Sequence, residues 1–247
     1  MRQAYRWLYS ELDSGRSRRS VIRRASGRIR TPVKDAFKLY DKLRKFDQSS
    51  CPEGSLLVGI DEVGRGPLAG PLVAACVQLP SSADALFPFL RDSKKLSAEE
   101  REDLAERVER VAIRKGIGVV EAHEFGGEIN LHHLTFLAMT RAMEAAGLEN
   151  SCHLLIDGKY PIPDCTHSQR AVIKGDDTSL SIAAASVVAK VYRDRRMATL
   201  HEQFPQYGFD QHVGYGTEAH REAILAHGPC SEHRKNFLER ILTGSLG

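Results

Sequence analysis

The chain has 247 residues and is 42% hydrophobic, which suffices for one sizeable core but is too short for two large domains. No apolar run approaches the ~20 residues of a membrane span, and the N-terminus lacks the apolar core of a signal peptide. The five cysteines are dispersed without a Cys-x-x-Cys pair, which argues against a disulfide framework and against a zinc site. We therefore expect reduced thiols, a cytoplasmic protein and no membrane association.

The net charge of +3 conceals an uneven distribution. Residues 1–50 carry 14 basic and 5 acidic residues, a net of +9, whereas the remainder carries 21 basic and 27 acidic residues, a net of −6. A basic segment on a slightly acidic body suggests contact with a polyanion, although a solvated, partly helical extension would have the same composition. We therefore divide the chain into a basic extension, residues 1–50, and a catalytic domain with a C-terminal helical segment, residues 51–247.

The basic extension has two segments with helical spacing. Aromatic and apolar residues predict a short helix over Gln3–Leu12, and Thr31-Pro32 is typical of the start of a second helix. An Arg/Ser/Gly tract separates them, so the extension is either a basic arm or a small helical unit. An organellar transit peptide is also rich in Arg and Ser, but the early acids Glu11 and Asp13 count against it.

From residue 55 the pattern alternates between strands and helices. Leu56–Ile60 and Leu72–Leu79 are predicted strands joined by a Gly/Pro loop, and Ser97 with Glu100 forms the capping-box pattern of a helix that ends near Ile113. The later predicted elements are, in order, strand Ile117–Glu121, helix Leu131–Ala146, strands His153–Ile156 and Ala171–Ile173, and helices Ser179–Phe204, Thr217–His227 and His233–Leu242. This order predicts an α/β domain with a mixed sheet flanked by helices.

Four acids stand out by their position. Asp61 and Glu62 follow the first predicted strand, Asp157 ends a later strand, and Asp176 precedes the long helix. Burial of an unpartnered carboxylate costs several kcal/mol, so such acids either cap surface turns or bind a cation. Function in open α/β sheets gathers beyond the carboxyl ends of strands, and oxygen ligands favour Mg²⁺ or Mn²⁺ over Zn²⁺. Two such cations about 3.5–4 Å apart would suit an in-line phosphoryl displacement.

The sequence resembles a known family at seven ordered blocks. The segment from Asp61 to Pro71 closely resembles the opening motif of bacterial ribonuclease HII. The further matching blocks are Asp92-Ser93-Lys94-Lys95-Leu96, Ile156-Asp157-Gly158, Lys174-Gly175-Asp176, the run from Ala183 to Asp194, Gly214-Tyr215-Gly216-Thr217, and His233-Arg234 before Phe237. The resemblance covers roughly residues 55 to 240 and leaves residues 1–50 outside.

The resemblance implies a ribonuclease H-like fold and a metal-dependent endoribonuclease. Its substrates would be RNA/DNA hybrids and duplex DNA that contains ribonucleotides, and its cofactor Mn²⁺ or Mg²⁺. It implies that the catalytic and metal-binding residues are Asp61, Glu62, Asp157 and Asp176. We expect a monomer.

The resemblance also implies two groups that recognise the substrate. The loop Gly64-Arg65-Gly66 would recognise the ribonucleotide through its 2′-hydroxyl, because glycine permits close approach of the backbone. Tyr215, between two glycines, would stack at the junction of RNA and DNA. Lys94, Lys95, Lys174 and Lys190 are further candidates that would contact phosphates or carboxylates, although most lysines are merely solvated.

Three other functions remain open from the residues alone. A ribonuclease HIII shares the Asp-Glu-x-Gly pattern, but Arg65 favours ribonuclease HII. A non-catalytic nucleic-acid-binding protein would not need all four acids, and a small-molecule phosphohydrolase would not need the basic extension. Asp194 is a weaker candidate ligand, and His212, His220 and His233 lack metal-ligand spacing, so we interpret the histidines as structural or solvent-facing. Asn236 stands where the family usually has Ser, and we expect little effect because Asn also donates and accepts hydrogen bonds.

Overall fold

The structure is a computed structural model of the chain that describes residues 10–12, 14–25, 27–80, 97–126 and 130–242, together with Trp7 and Leu90. Most of the predicted helix Gln3–Leu12 lies outside the described residues, and so do Lys94 and Lys95. In the part that the structure describes, no helix combines the length and the apolar character needed to cross a membrane.

The regular elements follow the predicted order closely. The strands are β1 Leu56–Val63, β2 Leu72–Gln78, β3 Arg114–Val120, β4 Cys152–Asp157 and β5 Ser168–Val172. The α-helices are α1 Arg18–Arg24, α2 Gly27–Ser50, α3 Ala98–Val111, α4 Leu131–Ala146, α5 Leu180–Gln203, α6 Phe209–His212, α7 Glu218–His227 and α8 Lys235–Leu242. Short 3₁₀ helices occupy Ala122–Glu124, Gly175–Asp177 and Pro205–Tyr207.

The five strands form one mixed sheet in the order β3-β2-β1-β4-β5. The first three strands pair antiparallel, while β1 with β4 and β4 with β5 pair parallel. This arrangement confirms the predicted α/β class with a mixed sheet. The central strand β1 is hydrogen-bonded to β4 as far as Ile60 and to β2 as far as Val63, so its carboxyl end is held by β2 alone.

Strand β1 is longer than the sequence predicted, which is a correction to the predicted position of the first two acids. Asp61 and Glu62 lie within β1 and pair with Ala75 and Ala74 of β2, whereas we expected both acids after the strand. The last pair between β1 and β4 is Ile60 with Ile156. The apolar run ends at residue 60, but the antiparallel partner continues, so a tertiary pairing extends the strand.

Helices cover both faces of the sheet, and the two faces hold separate apolar cores. One core packs α2, α3 and α5 against β2, and the other packs α4 against β1, β2 and β4. Helix α5 crosses β1 so closely that a side chain at Gly59 would meet the backbone carbon of Ser181 at 2.1 Å. The small residues at the start of α5 permit this approach, as the sequence predicted.

The basic extension is helical where the structure describes it, and its second helix joins the main core. Helix α1 was not predicted; Ser17 caps it by accepting a hydrogen bond from the Ser20 amide. Helix α2 begins at Gly27, earlier than the predicted Thr31-Pro32 start. Tyr40 and Leu43 of α2 are 1% exposed and pack among residues of α3, α5 and β2. The extension therefore contributes side chains to the apolar core of the fold. The domain boundary at residue 50 stays a prediction.

Candidate active site

Three of the four predicted acids meet at the carboxyl ends of β1 and β4. Asp61, Glu62 and Asp157 each offer a carboxylate oxygen, and these oxygens lie within 4.8 Å of one another. The sheet explains the meeting, because Ile60 pairs with Ile156 in parallel register and the acids are the next residues on each strand. Side chains alternate between the faces of a strand, so Asp61 lies on the same side as Gly59, facing α5.

Burial and mutual repulsion disfavour the charged forms of the carboxylates in this cluster. Burial first, and then the charges of Asp157 and Glu62, raise the pKa of Asp61 well above its usual value, against hydrogen bonds from the Ser186 hydroxyl and the Glu62 amide. Burial also raises the pKa of Glu62, which the nearby Arg65 guanidinium opposes. Arg65 Nη1 lies 3.5 Å from Glu62 Oε1, while Glu62 Oε2 is buried without a hydrogen-bond partner.

Asp176 lies on the 3₁₀ turn Gly175–Asp177 and is not part of the compact three-acid group. The turn itself is attached to the cluster, because the Gly175 amide donates to Asp157 Oδ1 at 2.6 Å. Lys174, which precedes the turn, is exposed and has a left-handed backbone with φ of 54°. A positive φ is uncommon for a residue with a side chain, so this turn is held in place by its surroundings.

The two glycines of the Gly64-Arg65-Gly66 segment have different environments. Gly64 has a φ of +92°, and a side chain there would meet Arg193 Nε at 2.4 Å. Gly66 is exposed, and among the described residues nothing lies within 4 Å of the place where its side chain would be. Packing within the protein therefore explains Gly64 but not Gly66.

Two buried arginines bind the loop that contains these glycines. Arg234 is 0% exposed and donates to the carbonyl oxygens of Gly64, Arg65, Pro67 and Gly70 at 2.7 to 3.1 Å. Its guanidinium also lies 3.9 Å from the ring centroid of Phe125. The His233-Arg234 block was visible in the sequence by resemblance, but it predicted no role for Arg234.

Arg193 of α5 is the second of these arginines and is also fully buried. It donates from Nε to the Pro71 carbonyl at 2.9 Å and from Nη2 to the Ala69 carbonyl at 3.3 Å. The matching block from Ala183 to Asp194 includes Arg193 by resemblance, but it predicted no role for this residue, since an arginine in a long helix is usually solvent-facing. Within the described chain, neither arginine forms an ion pair with a carboxylate.

Tyr215 is 45% exposed on the loop that packs against the same segment. The Leu68 amide donates to the Gly214 carbonyl at 2.8 Å, which joins the two loops directly. Burial lowers the pKa of Arg193 and of Arg234, and the nearby Tyr215 opposes this decrease in both. Tyr215 therefore lies close enough to both guanidinium groups to interact with them, on a loop that is joined to Leu68.

A chain of hydrogen bonds between buried histidines, the histidine relay, supports the loop that carries Tyr215. It confirms that His220 and His233 are structural, and their burial corrects the idea that they face solvent. His233 Nδ1 accepts from the Cys230 amide, so His233 Nε2 carries the proton and donates to His220 Nε2 at 3.1 Å. His220 Nδ1 then donates to the Tyr215 carbonyl at 2.8 Å. His212 stacks on His220 with ring centroids 4.3 Å apart. Burial, followed by the charge of His220, lowers the pKa of His233 to about 4, so the relay is neutral at pH 7.

Two further polar residues on α5 have local partners. Lys190 Nζ forms an ion pair with Asp194 Oδ1 at 2.6 Å along the helix, an i,i+4 contact. The predicted partner of Lys190 is a phosphate or a carboxylate, and the partner in the structure is a carboxylate. This ion pair occupies the Asp194 carboxylate, which agrees with our interpretation of Asp194 as a weaker candidate for a metal ligand.

The residues at the cluster suit a hard divalent cation. Three carboxylates crowd together, and an unpartnered oxygen of Glu62 is buried among them. A cation would offset the burial and the repulsion that raise the pKa of Asp61, and an all-oxygen donor set favours Mg²⁺ or Mn²⁺ over Zn²⁺. The site therefore fits the predicted metal class.

The mixed sheet with a carboxylate cluster at its edge is that of a ribonuclease H-like nuclease. A sequence model of the family described as Ribonuclease HII matches residues 58–242. The Ribonuclease HII of Caldanaerobacter subterraneus subsp. tengcongensis is 44% identical over 208 residues, which are 84% of this chain and 84% of the relative. The chain therefore belongs to the ribonuclease HII family, which confirms the resemblance and sets the ribonuclease HIII alternative aside.

Solved structures agree with this fold. The ribonuclease HII of a PCNA complex from Archaeoglobus fulgidus aligns with a TM-score of 0.62 and 28% identity, covering 76% of this chain and 94% of that one. Bst-RNase HIII, solved in complex with Mn²⁺, shares the fold with a TM-score of 0.59 and 18% identity, covering 78% of this chain and 71% of that one. The predicted ribonuclease H-like fold is thus confirmed.

Proposed function

We propose that this protein is a metal-dependent endoribonuclease that hydrolyses the RNA strand of RNA/DNA hybrids and cuts at ribonucleotides embedded in duplex DNA. The single observation that carries the proposal is the group of three carboxylates within 4.8 Å at the sheet edge, next to the loop of Gly64, Arg65 and Gly66. Membership of the ribonuclease HII family gives the substrate class. Such an enzyme would act in the cytoplasm, in DNA replication and repair.

The acids at the carboxyl ends of β1 and β4 would hold the metal. Asp61, Glu62 and Asp157 would provide oxygen ligands, with Asp176 added from the adjacent turn. When bound, Mg²⁺ or Mn²⁺ supplies an activated water and stabilises the leaving oxygen. The Ser186 hydroxyl and the Gly175 amide each bond one carboxylate, so both ligands are held in one orientation before the metal arrives.

The loop and Tyr215 would select the ribonucleotide. The open space at Gly66 supports this role, because a substrate ribose could approach the backbone where no other described residue lies within 4 Å of an added side chain. Tyr215 is exposed beside the loop, where its ring could stack on the sugar or base at the junction. Lys174, exposed just before the turn that bonds Asp157, is a candidate phosphate contact, and Lys94, outside the described residues, stays a candidate for the same contact.

The basic extension would contact the phosphate backbone away from the cut. Lys34, Lys38, Lys42 and Lys45 are all exposed and recur at helical spacing, so they share one face of α2. They span about 16 Å along the helix, opposite the face that buries Tyr40 and Leu43. This surface supports sequence-independent binding of duplexes, which depends on salt.

The test is cleavage of a DNA duplex that bears one ribonucleotide, beside an all-DNA duplex of the same sequence. The proposal expects a single cut at the ribonucleotide in Mn²⁺ or Mg²⁺, none in EDTA and none in the all-DNA duplex. Binding of both duplexes without cleavage in any metal would instead identify a non-catalytic nucleic-acid-binding protein. Hydrolysis of small phosphate esters with no cleavage of either duplex would favour the phosphohydrolase alternative.

A further inference from the structure

Arg234 lies at the centre of the loop that carries Gly64, Arg65 and Gly66, although it is distant in sequence. Its donor nitrogens reach four carbonyl oxygens of that loop, and its side chain is 0% exposed. The Arg234 amide adds a bond to the Leu68 carbonyl at 2.8 Å. A planar guanidinium can meet several acceptors at fixed angles, which a lysine ammonium cannot do.

Arg193 of α5 bonds the same loop at other carbonyl oxygens. It bonds the Pro71 and Ala69 carbonyls and lies against Gly64, where an added side chain would clash with its Nε at 2.4 Å. The two arginines thus bond carbonyls at both ends and in the middle of residues 64–71. Burial of two cations that form no ion pair among the described residues is costly, and the carbonyl dipoles of this loop offset part of that cost.

We propose that Arg193 and Arg234 are positioning residues that set ribonucleotide selectivity by holding the Gly64-Arg65-Gly66 backbone in one conformation. They do not touch the substrate, because both side chains are fully buried. They orient the backbone groups that the ribose would meet at Gly66. This inference rests on the proposed function, since it assumes that the loop reads the ribose.

The Tyr215 loop is tied to the same unit. The Gly214 carbonyl accepts from the Leu68 amide, and a side chain at Gly214 would meet the Ala69 carbonyl oxygen at 2.4 Å. The Gly70 amide donates to the Glu232 carbonyl at 2.9 Å, next to the residues that carry the histidine relay. Loosening Arg234 should therefore disturb both recognition elements together.

The experiment compares Arg234→Lys with Arg107→Lys, a matched substitution of a buried arginine on α3 that pairs with Asp103 at 3.0 Å and does not touch the loop. On the single-ribonucleotide duplex, Arg234→Lys should lower kcat roughly 10- to 100-fold with a smaller change in KM. The reason is that a misplaced recognition group stabilises the transition state less. Binding of the all-DNA duplex should change less than about twofold, because Arg234→Lys keeps the positive charge and leaves the phosphate-binding side chains intact. Hydrogen exchange of the loop amides should become faster in Arg234→Lys and stay unchanged in Arg107→Lys.

Wild-type kcat in Arg234→Lys, despite faster exchange of the loop amides, would overturn the inference. Equal losses in both lysine variants would also overturn it, since they would indicate general destabilisation. If Arg234→Lys does not fold, the same measurements of kcat, KM, duplex binding and hydrogen exchange are made on Arg193→Lys. Gly66→Ala separates the two proposals: it should fold normally and lose selectivity. Unchanged selectivity there would refute ribose recognition by the loop and with it the selectivity role of the two arginines, whereas faster exchange in Arg234→Lys would still show that Arg234 positions the loop.

Discussion

Asp47 and Ser181, 134 positions apart, are joined by two hydrogen bonds. Asp47 Oδ2 accepts from the Ser181 amide at 2.9 Å and from its hydroxyl at 2.8 Å. Ser181 is in the first turn of α5, where backbone amides lack partners within the helix, so the extension caps the helix that also carries Ser186 and Arg193. The N-terminal extension and the candidate active site are therefore connected through one helix.

Asp47→Ala should destabilise the protein by roughly 1–3 kcal/mol, because two buried donors at the start of α5 lose their acceptor. Urea unfolding measures the loss. Asp35→Ala, at an exposed acid on the same helix, is the control and should stay within about 0.5 kcal/mol of the wild type. Equal stability of Asp47→Ala and the wild type would show that the capping interaction does not hold the extension in place.

Lys34→Gln, Lys42→Gln and Lys45→Gln, combined in one protein, should weaken binding of hybrid and all-DNA duplexes alike. The slope of log affinity against log salt should decrease by roughly 0.9 for each phosphate that the protein no longer neutralises, with ribonucleotide selectivity unchanged. The melting temperature should not change, because all three side chains are exposed. Arg110→Gln, an exposed cation on α3, is the control. An unchanged salt slope would refute the phosphate-binding surface.

Removal of residues 1–50 takes away both the exposed lysines and the buried side chains of the extension, so it changes duplex binding and protein stability together. It should lower the melting temperature, because it takes Tyr40, Leu43 and the Asp47 cap out of the core. Loss of Tyr40 and Leu43 alone should cost several kcal/mol. A truncated protein that melts like the full chain would contradict the packing of α2 on the catalytic domain.

Tyr215→Ala should impair cleavage of single-ribonucleotide substrates more than cleavage of long hybrids. A junction offers one place where ribose meets deoxyribose, so the loss of a stacking interaction worth roughly 1–3 kcal/mol cannot be offset elsewhere. Tyr160→Ala, at a tyrosine that is 57% exposed, is the control and should leave both activities unchanged. Equal losses on both substrates would show that Tyr215 supports the loop and does not read the junction.

Acid should destabilise the histidine relay. The pKa of His233 is lowered from 6.5 to about 4 on folding, so the unfolded chain binds a proton that the folded one excludes. The contribution of neutral His233 to the free energy of unfolding is therefore complete above pH 6.5. It falls as the pH decreases toward 4, by roughly 2 kcal/mol at pH 5. His233→Asn, which keeps an acceptor for the Cys230 amide, should show a weaker pH dependence in urea unfolding. The same slope in both proteins would assign the acid sensitivity to other groups.

Much of the fold was predictable because its signals are local. The Ser97–Glu100 capping box and the helix Leu131–Ala146 were found where the sequence placed them. The acids of β1 and β4 lie close together because the carboxyl ends of parallel strands are at the same edge of the sheet. The extension of β1 to Val63 was not predictable, since it depends on pairing with β2 and not on the apolar run.

The residues that support the site could not be predicted, for a related reason. Arg193 and Arg234 each bond carbonyls more than 120 residues away, and no spacing rule in one sequence brings such groups together. A motif block around His233-Arg234 was visible, but only the structure connects it with Gly64. The relay from Cys230 to Tyr215 lies within residues 215–233, but its residues lack a metal-ligand spacing, so the sequence did not show that His220 and His233 bond to each other.

The most direct test of the account measures single-turnover cleavage of the one-ribonucleotide duplex by Asp61→Asn, Glu62→Gln, Asp157→Asn and Asp176→Asn at saturating Mn²⁺ and Mg²⁺. Each amide keeps the shape of the side chain but removes the charge that would hold the metal. The account predicts that every variant retains the wild-type circular dichroism spectrum and loses cleavage by orders of magnitude. Near-wild-type cleavage by folded Asp61→Asn in either metal would contradict it.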